Sequence, residues 1–437
     1  MKKEKTLTIF TPAYNRAHTI GRTYASLCRQ TCKDFEWLII DDGSTDGTRA
    51  LVLSWMCGGT NVHEVTVSCD RRGECVEGMC EAGFLIRYIY QDNQGMHGAH
   101  NTAYRHITTE LNTCIDSDDY MPDDAVAHIV NLWRRCGSDR VAGMIGLDAS
   151  IDGNIIGSAF PEGLQTTTLR GYYERLGGAG DKKLVYRTDV IGRYPEYPVF
   201  EGEKYVGLAY KYHLADEDYP LLVSNDVWVV VEYQPDGSSY GMWKQYWNNP
   251  KGFAFFRKFD MVRTYSWKRK VMDNIHYVSH SIRGKNWHFL QESPCRGLTF
   301  VCLVPGVALY FINKWKVKHN RTFKAHDLLY SKRSISVRRP LGAYLVGAVE
   351  VQVLCPGIHL YLFYAQDPDG QVFHREVSLP CYFAHNLLYY SYSDSLSDTY
   401  WRRVPHRTFR NNRRKSGGCN RKKLQYQSGM SDRECSR

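Results

Sequence analysis

No stretch of this 437-residue chain offers the roughly 20 unbroken apolar residues that a membrane-crossing helix needs. "GLTFVCLVPGVALYFINKWKVK" (297–318) holds an apolar run of about fifteen residues, interrupted by Pro305. "LGAYLVGAVEVQVLCPGIHLYLFYA" (341–365) is longer but carries Glu350, Pro356 and His359. No secretory leader is expected either, because "MKKEKTLTIFTPAYNR" has basic residues but too short an apolar run. The fourteen cysteines form no even framework, so reduced thiols in a cytoplasmic chain are the expectation. No GxGxxG follows the first apolar strand, which speaks against a Rossmann-type dehydrogenase.

Charge is lacking in the body and concentrated in the tail. Residues 401–437 hold twelve of the 56 Lys and Arg and two of the 46 Asp and Glu, leaving 44 of each in residues 1–400. The tail therefore carries the whole formal charge of +10 and reads as a solvated, disordered segment. An anionic membrane surface is its next most natural partner, and nucleic acid is unlikely without interleaved aromatics.

What is present is an alternation. "LTIFTPAYN", "FEWLII", "FLIRYIY" and "LNTCI" read as strands, each followed by a loop and a helix-period segment. In the first helix Ile20, Tyr24, Leu27 and Cys28 share a face; the second begins near Asp46; a later one starts by Pro122 and carries Ala125, Ile129 and Leu132. This pattern over about 150 residues predicts an α/β fold with a mostly parallel sheet covered on both faces. Ligands bind beyond the C-terminal strand ends of such sheets, where Asp41, Asp42, Asp116, Asp118 and Asp119 all fall. Carboxylates packed as in "CIDSDDYMPDD" repel one another unless a cation or protons intervene. The bland alternative is that some of them, Asp123 and Asp124 above all, only cap the next helix. Cys57, Cys69, Cys75 and Cys80, with His63 among them, match no usual zinc spacing, and 57–81 reads as an inserted surface loop.

Four segments in order, "TIFTPAYNRAHTI", "LIIDDGSTDGT", "NQGMHGAHNTA" and "CIDSDDYMPDD", resemble the nucleotide-sugar-binding half of the family 2 glycosyltransferases, especially bacterial capsule and cell-surface polysaccharide enzymes. The resemblance is strong over about 5–150 and looser over about 180–315, and residues 57–81 depart from it as an insertion. It implies a GT-A (Rossmann-like) fold, with 1–150 as the donor half, 151–290 as the acceptor half, 291–400 as a C-terminal region of possible membrane contact and 401–437 as the basic tail.

The activity it implies is metal-dependent, inverting transfer of one sugar from a nucleotide-sugar, UDP-sugar favoured, to a hydroxyl of a polysaccharide or lipid-linked oligosaccharide. Expulsion of a diphosphate calls for Mg2+ or Mn2+ on carboxylate oxygens. By resemblance Asp118 ligates the ion, Asp116 faces ribose and metal, and Thr11, Tyr14 and Arg16 line the nucleotide. Asp42 accepts from the base, His97 and Asn101 reach the diphosphate or sugar, and Glu203, with Glu201 second, is the catalytic base. The QxxRW pattern of processive synthases is missing, which points to single additions. A glycan-binding relative without catalysis is the other reading, and peripheral attachment to the inner face of the cell membrane is expected of a lipid-linked acceptor.

Overall fold

The computed structural model describes residues 5–56, 66–70, 73–232, 242–318, 347–355, 358–366 and 372–374. Its donor half runs β1 (Leu7–Ala13), α1 (Ile20–Arg29), β2 (Phe35–Asp41), α2 (Thr48–Met56), β3 (Thr66–Asp70), β4 (Gly73–Met79), β5 (Leu85–Tyr90), α3 (Met96–His106), β6 (Leu111–Cys114), α4 (Ala125–Cys136) and β7 (Gly143–Ser150). β5, β2, β1 and β6 are neighbours in that order and mutually parallel.

The period of two along β1 decides what covers each face. Leu7 and Ile9 share one core with Ile20 and Leu27 of α1, Val52 and Met56 of α2, and Ile129 of α4. Phe10 turns the other way and packs with Leu38, Ile40 and, from α3, Ala99 and Ala103. Helices thus cover both faces, as the unbroken apolar strands require, and the sheet is the α/β, GT-A-type arrangement anticipated.

The second half runs β8 (Thr166–Thr167), α5 (Leu169–Glu174), β9 (Lys182–Arg187), α6 (Thr188–Ile191), α7 (Ala209–Asp218) and β10 (Leu221–Val231). Its strands join the same ten-stranded sheet, ordered β3-β4-β5-β2-β1-β6-β9-β7-β10-β8. β9 enters antiparallel between β6 and β7, so residues far apart in sequence stand beside the acid-bearing end of β6.

Within 57–81, β3 and β4 form an antiparallel hairpin that extends the sheet beyond β5, where the sequence suggested a surface loop. The reason is an open edge on β5: pairing with it satisfies that strand's outer N–H and C=O groups and buries Cys75, Val76 and Cys80. Cys57 and His63 lie outside the described residues.

Then come α8 (Met242–Asn248), α9 (Pro250–Asp260), α10 (Trp267–Arg283), α11 (Phe289–Glu292), α12 (Arg296–Val301) and α13 (Leu303–Lys318). Pro305 sits in the first turn of α13, where no intrahelical N–H is needed. Among the described residues no helix is long and apolar enough to cross a membrane. The apolar stretch 341–365 instead supplies β11 (Gly347–Cys355) and β12 (Ile358–Gln366), which pair antiparallel, with β13 (Val372–His374) alongside β12. The tail 401–437 lies outside the described residues.

Candidate active site

The acids of "CIDSDDYMPDD" sit in a turn whose backbone is pinned from three sides. Ile115 N–H donates to Phe10 O of β1 at 2.9 Å, and Asp119 N–H closes the turn on Asp116 O at 3.1 Å. From α1, Arg22 Nη2 donates to Asp118 O and the Thr23 hydroxyl to Asp119 O, each at 2.7 Å. From β10, Val230 exchanges two backbone bonds with Tyr120. With the main chain so occupied, the carboxylates are left to do something else.

They do different things. Asp118 is half-buried, and among the described residues no donor of another residue engages its carboxylate, which has only its own backbone N–H against it. Burial and the neighbouring Asp116 raise its pKa, while Arg16 and Arg22 act in the opposite direction. Asp119 is buried, accepts from Glu232 N–H at 3.3 Å, and is pushed up to about 9 by burial and then by Asp116. Asp124 stands at the N-cap position of α4 but makes no side-chain capping bond, and Asp123 pairs with Arg29 of α1 at 3.0 Å in solvent, so neither carboxylate caps the helix by hydrogen bonding as the alternative expected.

The sequence reading missed a cation. Along β9 the side chains of Lys182 and Lys183 point to opposite faces. Lys182 Nζ is taken up by the carbonyls of Ile156, Ala179, Gly180 and Asp181. Lys183 Nζ donates to Cys114 O at 3.0 Å, at the base of the acid turn. Its charge is held against Asp148, Asp116 and Asp119, which raise its pKa despite burial. Asp148, on β7, is buried and its carboxyl is pushed up to about 6, mainly by burial. "DKKLVYR" carries a signal for this only once β9 is known to lie beside β6.

On the nucleotide side, the loops after β1 and β2 are laced together. Asn15, at φ 54°, gives its N–H to Ser44 Oγ and takes the N–H of Thr45 on its side-chain oxygen, both at 2.8 Å. Arg16 N–H meets Thr48 Oγ1 at 2.9 Å. Tyr14 is 50% exposed beside these loops. Thr11 is fully buried and accepts from Trp37 Nε1 at 2.9 Å, which sets it within the sheet beneath the site.

Asp42 is also buried, and its oxygens accept from Gln91 Nε2 at 2.6 Å and from Gln94 and Gly95 N–H at 2.8 Å each. It holds the loop that leads into α3. Gly95, at φ 85°, lies so close to the next segment that a Cβ there would meet Lys204 O at 2.1 Å. The Lys204 ammonium donates to Asn93 O, binding the loop from the other side.

His97 opens α3, buried, with no partner for either ring nitrogen among the described residues. Burial lowers it to about 4, so it is a neutral imidazole at pH 7. Asn101 is occupied: its amide bonds Tyr197 O at 2.8 Å and Tyr197 N–H at 2.9 Å.

Glu203 is buried, and its two oxygens accept from the N–H groups of Lys251 (3.0 Å) and Gly252 (2.9 Å) in the first turn of α9. Those donors are the orphan amides of a helix N-terminus. A carboxylate so engaged is placed to hold α9, and those bonds stabilise its charged form and so lower its basicity; Glu201 stands exposed nearby. Glu203→Gln should lower thermal stability by the equivalent of about 1–3 kcal/mol through weakened charge-assisted bonds. We expect kcat per folded molecule to stay within about tenfold. A hundredfold loss of kcat at unchanged Tm would instead return Glu203 to the role of base.

Does the site suit a hard divalent ion? Asp116 and Asp118 offer oxygen donors two residues apart, and Asp118 is unengaged, which is the chemistry Mg2+ and Mn2+ prefer. Such ions keep water and phosphate oxygens in their shell, so one or two carboxylates suffice. Among the described residues no group of three or more His, Cys, Asp or Glu is gathered for a metal. Cys75 and Cys80 are buried, and burial pushes the Cys75 thiol up to about 11.

Residues 8–71 and 67–149 match the sequence model described as "Glycosyl transferase family 2", in two pieces that overlap at residues 67–71. An uncharacterized glycosyltransferase of Nostoc sp. is 33% identical over 141 residues, covering 32% of this chain and 36% of that protein. A chondroitin synthase of Escherichia coli is 28% identical over 160 residues, 37% of this chain and 20% of that one. A UDP-Glc:alpha-D-GlcNAc-diphosphoundecaprenol beta-1,3-glucosyltransferase, also of Escherichia coli, is 30% identical over 113 residues, 26% of this chain and 35% of that one. The matches thus span between a fifth and little more than a third of these relatives' own lengths.

Proposed function

We propose, from the premise that residues 8–149 belong to glycosyl transferase family 2, that the chain transfers one sugar from a nucleotide-sugar to a hydroxyl of a glycan or lipid-linked glycan, with inversion and with Mg2+ or Mn2+. The observation that carries this reading is the acid turn after β6. Its backbone is fixed by Arg22, Thr23 and Val230, while the Asp118 carboxylate is left unengaged at the C-terminal edge of a parallel sheet. A bound divalent ion would offset the charge of the leaving diphosphate.

The chain's own residues supply the rest. Asp118 and Asp116 would hold the ion, and Arg16 adds positive charge on the same side. His97, neutral and without a partner, has an N–H to give to a phosphate or sugar oxygen at the start of α3, where the helix dipole also favours an anion. Tyr14 offers an exposed ring to the nucleotide base. Asp42 and Lys204 keep the 91–95 loop in place, so their first contribution is to the shape of the donor pocket. UDP is the favoured nucleotide: one similar enzyme has UDP-Glc in its name and another makes chondroitin. A diphosphoundecaprenol-linked acceptor in the first of these supports a lipid-linked acceptor here, at the inner face of the cell membrane.

The test is nucleotide release from a panel of UDP- and GDP-sugars with Mn2+ or Mg2+, with and without oligosaccharide acceptors. A UDP-sugar should yield UDP, faster when acceptor is added. Binding of UDP without release from any donor would favour the glycan-binding reading, and neither binding nor release would refute both.

A further inference from the structure

α12 and α13 turn one face inward and leave another bare. Inward, Cys302, Leu309 and Asn313 are buried, and Gly306 lies so close to α10 that a Cβ would meet Val278 at 2.5 Å. Thr299 is tied to Asn274 of α10 at 2.6 Å. Outward, Val304, Val307 and Phe311 of α13 have the spacing of one helical stripe, and Phe300 at the end of α12 precedes Val304 by four residues. Val304 is 80% exposed and Phe311 59%. Isolated surface apolar residues are ordinary, but a continuous stripe marks a contact surface.

The charges around the stripe select its occupant. From Arg296 to Lys318 there is no Asp or Glu, while Arg296 stands exposed at one end and Lys314 and Lys318 at the other. A second copy docked antiparallel would bring Arg296 against the partner's basic end, and a parallel one would set lysine against lysine. One helix face also falls short of the roughly 800 Å² per partner that stable protein interfaces bury. The chain's own tail, residues 401–437, carries the excess positive charge and would be repelled as well. An anionic lipid surface meets both demands, taking the apolar stripe into its headgroup boundary and the flanking bases at its phosphates.

We infer that the Phe300–Val304–Val307–Phe311 stripe is a monotopic docking face that lays α12 and α13 in the plane of an anionic bilayer. This does not depend on the transferase reading, since no residue of the acid turn takes part.

The experiment is co-sedimentation of the full chain with vesicles of phosphatidylcholine alone and of phosphatidylcholine with phosphatidylglycerol, in low and high salt. The full chain should pellet with the phosphatidylglycerol vesicles, less so in high salt. Val304→Ser with Phe311→Ser should lower that partition at least tenfold, and Lys314→Gln with Lys318→Gln should weaken it and flatten the salt dependence. Both pairs are exposed, so matching thermal melts will show the fold intact. Equal pelleting of the Val304→Ser/Phe311→Ser chain and the unchanged chain would overturn the proposal, because the basic tail alone would then suffice. Failure of the unchanged chain to pellet would overturn it too. A lipid-free dimer that the same pair of substitutions dissolves would assign the stripe to a second copy instead.

Discussion

Donor turnover should fall by about three orders of magnitude in Asp118→Ala, and by as much in the unchanged protein treated with excess EDTA. The figure follows from the several kcal/mol that a metal ion contributes to stabilising developing charge, at 1.36 kcal/mol per tenfold in rate. The substitution should spare the fold. Asp118's carboxylate engages no donor of another residue among those described, while its carbonyl, which Arg22 binds, is retained. The two losses should not add, because both remove the same ion. Calorimetry should show Mn2+ binding in the presence of UDP by the unchanged protein and none by the variant. Full activity in EDTA would overturn the metal-dependent mechanism, whatever the variant does.

Lys183→Met should be the most destabilising single change near the site. Removing one member of a buried ion cluster leaves its partners uncompensated, at a cost of about 3–5 kcal/mol. Here those partners are Asp148, Asp116 and Asp119. The pH dependence has a definite sign. Lys183's pKa is raised, so its own contribution is complete below the ordinary lysine value and is lost only as pH climbs above it. Between pH 4 and 7 the acids govern. Asp148, at about 6 when folded, binds more protons folded than unfolded between its ordinary value and 6, so stability falls as pH rises through that window. Without Lys183 the window should widen upward, and the variant's deficit should be largest at pH 7 and shrink toward pH 4.5. Urea melts at the two pH values read this directly; equal midpoints for variant and unchanged protein at pH 7 would show that Lys183 is not the counter-charge.

The stretch 5–150 was legible because its signals are local. Apolar strands too short to be helices and acids at or just past strand ends each report on a few consecutive residues, and parallel sheets collect such acids along one edge, although β1 runs on through Pro12 to Ala13. Helical spacing of Ile20 and Leu27, or of Ala125 and Ile129, named core faces without any knowledge of partners. The four motifs in order named the family.

What tertiary structure decided is the division of labour among those acids and the identity of their neighbours. Asp118 and Asp119 are adjacent and chemically identical, yet one is half-buried at the edge of the site and the other is buried, accepts from Glu232 N–H just past β10, and has its pKa raised by that burial. Lys183 counts as part of the site only because β9 runs antiparallel beside β6, a pairing about 70 residues apart in sequence. Glu203 and Asp42 carried the residue types expected of a base and a nucleotide contact, but long-range packing gave their oxygens to α9 and to the 91–95 loop. In 57–81 composition alone suggested a loop, and an unpaired edge of β5 turned it into strand. Sequence fixes which groups can ionise, donate and accept; burial and partners assembled from distant segments decide which of them remain available.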